Sequence, residues 1–253
     1  MIERIHAFMR RAEEGVCDEV LETAHGTAML APSLPLVWQV NAIRVEDPRA
    51  SVAELTAEAE ELQEAFGHRK LVVHDERLGK RLAPKFAKAG WNVFRVLIML
   101  RRRPADLREQ PAAGAEVSRD VGAAALAAFR REQPFGWQDE AVRQLAEMDD
   151  RYTHVLAARD FASPPNDPAC ACRLYAHDGL GQVDEVGTIE ARRGRGHARA
   201  AVAAAADAAA AHGCEWVFMV TDAADWPQEL YRRLGFDEIG ATYEFLKLPV
   251  SSR

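Results

Sequence analysis

The amino-acid sequence predicts an α/β (α+β) protein built as two tandem copies of one fold, each a mixed sheet flanked by helices. Three observations lead there. Apolar residues alternate between helical and strand periods along the second half. A stretch with two prolines and a glycine, PADLREQPAAGAE (104–116), interrupts the chain near its middle. Landmarks in one half recur in the other at an offset of 145 positions, from Leu71 to Trp216. The predicted organisation is a domain at 1–103, a linker at 104–116 and a second domain at 117–253.

In the second half, Gly122–Arg131 and Gln138–Met148 carry apolar residues at spacings of three and four, the mark of two amphipathic helices. Strands are expected at Thr153–Ala158, Ala171–His177 and Gln182–Glu190, the first two separated by the turn-rich SPPND. Ala198–His212 is a helix on propensity, with Gly213 placed to end it. EWVFMV (215–220) reads as a short buried strand. A helix begins near Pro227, proline being favoured early in a helix, and Ile239–Leu248 forms the last strand. The order ααβββαβαβ makes a mixed sheet with helices on its faces.

The offset of 145 places WVFM (216–219) on LVVH (71–74) and Leu234-Gly235-Phe236 on Ala89-Gly90-Trp91, with Tyr231 falling on Phe86. A gapless match of strand, helix and turn over such a length is what tandem duplication produces. The copies differ at one turn: RRGRGHA (192–198) stands where the first copy has DPRASVA (47–53).

Composition narrows the function classes. Of 253 residues, 48% are hydrophobic and 28% charged, which suits a globular chain rather than a disordered one. The net charge of −7 argues against a dedicated nucleic-acid binder and favours cationic ligands. No stretch is long and apolar enough to span a bilayer, and MIERIHAFMRRAEEG carries charge throughout; a cytoplasmic protein without a membrane partner is expected. Cys17, Cys170, Cys172 and Cys214 lack the paired spacing of a zinc site and read as reduced, mostly buried thiols, so no metal is expected.

The chemistry concentrates in ARRGRGHARA (191–200). A helix N-terminus exposes unpaired N–H groups with partial positive charge, and glycines let an anion reach them. Neighbouring arginines add charge-assisted contacts. The letters miss the P-loop, which needs a lysine, and the dinucleotide fingerprint, because position 199 is Arg. A solvated helix start and an arginine-rich nucleic-acid arm are the competing readings; the strand before the turn and the long helix after it favour a pyrophosphate site.

In that context the second half resembles the GCN5-related N-acetyltransferase (GNAT) superfamily. Arg193-Gly194-Arg195-Gly196-His197-Ala198 matches the family's [Q/R]-x-x-G-x-[G/A] loop, and Tyr231-Arg232-Arg233-Leu234-Gly235-Phe236 matches its aromatic-x-x-x-Gly-Phe landmark. The likeness spans roughly 115–250, and the first half looks like a degenerate second copy, as in tandem acetyltransferases. It implies mostly antiparallel mixed sheets and acetyl-CoA as co-substrate. Arg193, Gly194, Arg195, Gly196, His197, Ala198 and Arg199 would cradle the pyrophosphate, while the backbone of Val186, Gly187 and Thr188 would meet the pantetheine. Asp225 stands where many relatives contact the cofactor with asparagine.

The resemblance also implies direct attack by an amine on the thioester in a ternary complex. Tyr231 matches the frequent general acid; plain aromatic packing is the alternative, and Phe86 in the first copy packs without a hydroxyl. Glu185 is the first candidate for the base, a strand-end carboxylate meeting solvent or an arginine being the alternative, with Asp184 assigned to the opposite face by strand alternation. Phe135 and Trp137, in REQPFGWQDE (131–140), are candidates for binding a small-molecule amine, or else they close the core. His74, Asp75 and Glu76 end a strand and begin a helix, where capping accounts for them. The expected protein is a monomer or homodimer that acetylates a primary amine; a non-catalytic acyl-CoA sensor or interaction module is the alternative, with nucleic-acid binding third.

Overall fold

The computed structural model describes residues 1–107, 115–119, 121–133, 138–151, 154–160 and 162–248. In chain order the elements are α1 (Ile2–Val16), β1 (Glu19–Glu22), β2 (Gly26–Leu30), β3 (Ala42–Val45), α2 (Val52–Leu62), β4 (Arg69–Val73), α3 (Glu76–Lys88), β5 (Asn92–Arg102) and β6 (Ala115–Ser118). There follow α4 (Ala123–Arg131), α5 (Asp139–Asp150), β7 (His154–Asp160), β8 (Cys170–His177), β9 (Leu180–Thr188), α6 (His197–Ala211), β10 (Trp216–Asp222), α7 (Pro227–Arg233) and β11 (Asp237–Lys247). The mixed α/β class and helix-flanked sheet expected from the sequence are both present.

The chain forms two compact units, and they are not sequential. The first holds Met1–Ile98, Thr221–Gln228 and Glu238–Arg253; the second holds Met99–Val220 and Glu229–Asp237. This departs from boundaries at 103 and 117, because β11 pairs antiparallel with β4 over Tyr243↔Val73 to Lys247↔Arg69. Apolar periodicity identifies a strand but not its neighbour. The linker also shortens: Ala115 and Glu116 belong to β6, which pairs with β7. A four-residue strand is too short for alternation to reveal.

In the first unit β1–β2 and β2–β3 pair antiparallel, and β3–β4 pair parallel. Helix α2 starts at Ser51 with a capping box: the Ser51 hydroxyl accepts the Glu54 N–H, and the Glu54 carboxylate accepts the Ser51 N–H. Helix α3 starts at Asp75, whose carboxylate accepts the N–H groups of Arg77 and Leu78. Its stripe of Leu78, Leu82 and Phe86, spaced by four, faces the core. Phe86 stacks on Phe245 at 4.4 Å between ring centroids and meets Trp91 edge-on at 5.0 Å. Burying a side chain of this size contributes about 2–3 kcal/mol.

In the second unit the strand order is β10-β9-β8-β7-β6, with β10–β9 parallel and the rest antiparallel. The alanine-rich α6 owes its composition to packing as well as propensity. A Cβ placed on Gly181 of β9 would lie 2.8 Å from the Cβ of Ala209, so helix and strand approach too closely for larger side chains.

The offset of 145 also relates two strands and two helix ends in the structure. Both β5 and β11 have 11 residues, and their ends keep the offset of 145. After α3, the N–H groups of Ala89, Gly90 and Trp91 donate to Phe86, Ala87 and Phe86; after α7, those of Leu234, Gly235 and Phe236 donate to Tyr231, Arg232 and Tyr231.

Candidate functional site

The second unit builds its site from the far half of β9, the turn after it and the start of α6. Parallel pairing of β9 with β10 ends at Gln182↔Phe218. Beyond that point Val186, Gly187 and Thr188 lie half-buried, and among the described residues this part of β9 pairs with β8. The β10 pairing thus stops short of this segment. Gly187 lets α4 close over this segment, since a Cβ there would stand 3.2 Å from Gln133 Oε1 and 3.4 Å from Phe129 Cζ.

The same stretch carries a β-bulge. Arg173 opposes Asp184 while Ala171 opposes Gly187, so Glu185 and Val186 share the place of one residue. Glu185 is left-handed at φ 48°, a conformation that costs a non-glycine residue about 1–2 kcal/mol. Strict alternation therefore does not run through Glu185, and the assignment of Glu185 and Asp184 to opposite faces on that ground is corrected. Bulges of this kind re-aim side chains and recur beside functional sites.

Behind the bulge lies a charge network that the sequence reading overlooked. The Arg173 guanidinium, 2% exposed, is ion-paired with Glu185 and lies 3.5 Å from Asp149, which also accepts a 2.6 Å hydrogen bond from Arg130. Burial draws Arg130 below its ordinary value, with Asp149 opposing the shift. A signal was available: an arginine in the middle of the apolar strand CACRLYAH requires a buried partner. Its flanking thiols are closed off, and burial pushes Cys170 up to about 12 and Cys172 well above its ordinary value.

After β9 the chain makes a short 3-10 turn over Glu190–Arg192 and two left-handed glycines, Gly194 at φ 76° and Gly196 at φ 84°. Gly196 is the N-cap of α6 and contributes no side-chain cap, leaving the first N–H groups of a 15-residue helix for another acceptor. Nothing lies within 4 Å of where a Gly194 Cβ would stand, so the approach is open.

The arginines do not act alike. Arg192 donates to both carboxylate oxygens of Asp167 at 2.8 and 2.7 Å. Arg195 lies 3.7 Å from Asp160, which also sits 3.0 Å from the buried His197 ring. Arg193 donates weakly to the Thr188 carbonyl at 3.4 Å. Asp160 and Asp167 thus hold the turn in shape by offsetting part of its charge. Their distance in sequence left no local clue to this role.

An open, glycine-hinged helix start beside a diverging strand is a cradle for a phosphate-bearing ligand. The model of the Acetyltransferase (GNAT) family matches residues 123–236. This segment is a GNAT domain.

Solved structures agree in fold. A conserved protein of unknown function from Staphylococcus epidermidis matches with a TM-score of 0.68 and 15% identity, over 92% of this chain and 95% of its own. A GCN5-related N-acetyltransferase from Kribbella flavida matches with 0.59 and 21%, over 96% of each chain. A tandem GNAT protein from the clavulanic acid biosynthesis pathway matches with 0.53 and 14%, over 90% of this chain and 80% of its own. At these identities the likeness is one of fold. No curated protein matches the chain. The GNAT family performs acetyl transfer from acetyl-CoA, and that is the class of chemistry the domain brings.

The remaining expected residues of the GNAT site fall as follows. Ala198 and Arg199 lie in the first turn of α6. Tyr231 is on α7, 5% exposed, with its ring edge-on to Phe236 at 6.3 Å. Gly235 makes the landmark turn possible: it is left-handed at φ 78°, and a Cβ would lie 2.0 Å from Arg101 Nη1, which donates to the Leu234 carbonyl at 2.6 Å. Asp225 is exposed, belongs to the first unit, and accepts the Trp226 N–H at 2.7 Å. Phe135 and Trp137 lie outside the described residues. Among the described residues no helix is long and apolar enough to cross a membrane.

Proposed function

We propose that the GNAT domain is an acetyl-CoA-dependent N-acetyltransferase acting on a primary amine of a small molecule by direct attack in a ternary complex, in the cytoplasm. The observation that carries this reading is the contrast between two equivalent helix starts. At α2 the Ser51 hydroxyl caps the Glu54 amide and Glu54 takes the Ser51 N–H, whereas at α6 Gly196 provides no side-chain cap.

Acetyl-CoA, when bound, supplies the activated acetyl thioester. The amides of Gly196, His197 and Ala198 hold its pyrophosphate, with Arg193, Arg195 and Arg199 adding positive charge, and the backbone of Val186, Gly187 and Thr188 orients the pantetheine. An N–H of this strand stabilises the negative charge that develops on the acetyl oxygen. Orientation of both reactants in one cleft supplies much of the rate. Tyr231 gives its phenolic proton to the departing thiolate, and Glu185 accepts a proton from the attacking amine. Phe135 and Trp137 wall the acceptor.

A second reading, a non-catalytic acyl-CoA sensor, is favoured by one observation: Arg173 already occupies the Glu185 carboxylate. The test is acetyl-CoA titration followed by a panel of primary amines monitored for free thiol. Acetyl-CoA-dependent thiol release with one or more amines supports the enzyme. Saturable binding without thiol release supports the sensor, and an intact fold that binds neither acetyl-CoA nor CoA overturns both.

A further inference from the structure

The first unit has DPRASVA (47–53) before α2 rather than a glycine turn, and it holds a cavity. It measures about 670 Å³ and lies among α1, the ends of β3 and β4, the start of α3 and Ile239–Ala241 of β11. A CoA thioester does not suit it. Pro48 has no N–H to offer, and at the start of α2 the N–H groups of Ser51 and Glu54 are taken by the Ser51–Glu54 box.

Most of the charge around the cavity is already committed. The Arg44 guanidinium is shared among Glu13, Glu14 and Glu46, Asp75 caps α3, and Glu76 pairs with Lys80 and Arg95. Two cations on the lining, Arg10 and Arg77, have no carboxylate partner among the described residues. Glu3 is the one lining carboxylate in the same condition.

The lining also holds an imidazole pair. His6 and His74 stack with ring centroids 5.2 Å apart. His74, 6% exposed, places Nε2 3.3 Å from Glu13, while its Nδ1 and the Nε2 of His6 are buried without a hydrogen-bond partner. Buried polar atoms left unmatched beside a cavity mark a place where a ligand completes the structure.

We propose that this cavity is a binding site for a small organic carboxylate, held by Arg10 and Arg77 against the His6–His74 pair. Two guanidinium groups supply charge-assisted bonds to the carboxylate. Glu3 accepts an ammonium where the ligand has one. Glu13 orients His74 and remains ionised: burial alone would raise it, but the His74 contact and the Arg44 charge hold its carboxyl below the ordinary value.

The site is also coupled to protons. Burial, then the charges of His74 and Arg10, hold His6 below its ordinary value, with Glu3 and Asp75 opposing. A bound anion opposes them further and raises the imidazole's affinity for a proton. The occupied site therefore binds more protons than the empty one, and affinity rises as pH falls.

The experiment titrates L-malate and L-glutamate into the full chain at constant ionic strength set with sodium chloride. Imidazole NMR resonances of His6 and His74 report occupancy. Saturable shifts with at least one of the two acids are expected, tighter near pH 6 than near pH 8. The Arg77→Ala and Arg10→Ala variants should each bind about tenfold more weakly. Arg77 is an exposed residue whose removal leaves the fold intact, and acetyl-CoA binding should be unchanged in its variant. Shifts that stay linear or absent with both acids, or Arg10→Ala and Arg77→Ala proteins that bind like the parent, overturn the proposal whether or not the second unit acetylates an amine.

Discussion

Phe86 and Tyr231 occupy the same place in two equivalent helix ends: the carbonyl of each accepts the N–H group five residues on, from Trp91 at 3.1 Å and from Phe236 at 3.0 Å. Each ring is almost fully buried. The position therefore works structurally with phenylalanine, and the hydroxyl is the addition. Tyr231→Phe should fold and bind acetyl-CoA normally. Its turnover should fall about a hundredfold, the usual share of a general acid, as measured by thiol release at saturating acetyl-CoA.

Gly194→Val tests the turn. The site has room for a side chain but a φ of 76° that valine tolerates poorly. A loss of about 1–2 kcal/mol in stability is expected from backbone strain. The branched side chain also fills the approach to the α6 amides, so calorimetry should show acetyl-CoA affinity falling about tenfold or more.

Arg173→Met leaves Asp149 and Glu185 without the guanidinium that lies between them. Breaking a buried ion network by removing one member costs about 3–5 kcal/mol. Urea denaturation should show that loss. Adding Glu185→Gln should recover part of it, because one uncompensated charge disappears; additive losses in the double variant would mean that the two residues are not coupled.

Acid should weaken the first unit through His68. The ring is 1% exposed, its Nε2 lies 3.1 Å from the Asn41 carbonyl, and burial first of all lowers its pKa from 6.5 to about 4. The folded value is depressed, so the unfolded chain takes the proton first. The contribution is fully present above pH 6.5 and is lost as pH falls through about 4. It amounts to about 3 kcal/mol across that window. Denaturation from pH 7.5 to 4.5 should show a slope for the parent that flattens in His68→Leu; equal slopes would refute the assignment.

Much of the architecture was legible because it is written in local chemistry. The sequence singled out Gly194 and Gly196 as residues that let an anion reach a helix start, and the structure adds that both have positive φ. The offset of 145 residues follows from periodicities that need no tertiary knowledge, and it holds for β5 and β11 at both ends. The alanine run marked α6 by propensity, although its reason in the fold is the close approach to Gly181.

Other features depend on which strand lies beside which. By itself, the sequence determined the class of fold, the 145-residue offset between the two halves and the glycine turn before α6, because turns, caps and periods act over a few residues. Only the tertiary structure decided that β11 joins the first unit, that Asp160 and Asp167 hold the glycine turn, and that a bulge sets Glu185 against Arg173. Strand pairing and buried charge compensation join residues far apart in the chain, and no local pattern names the partner.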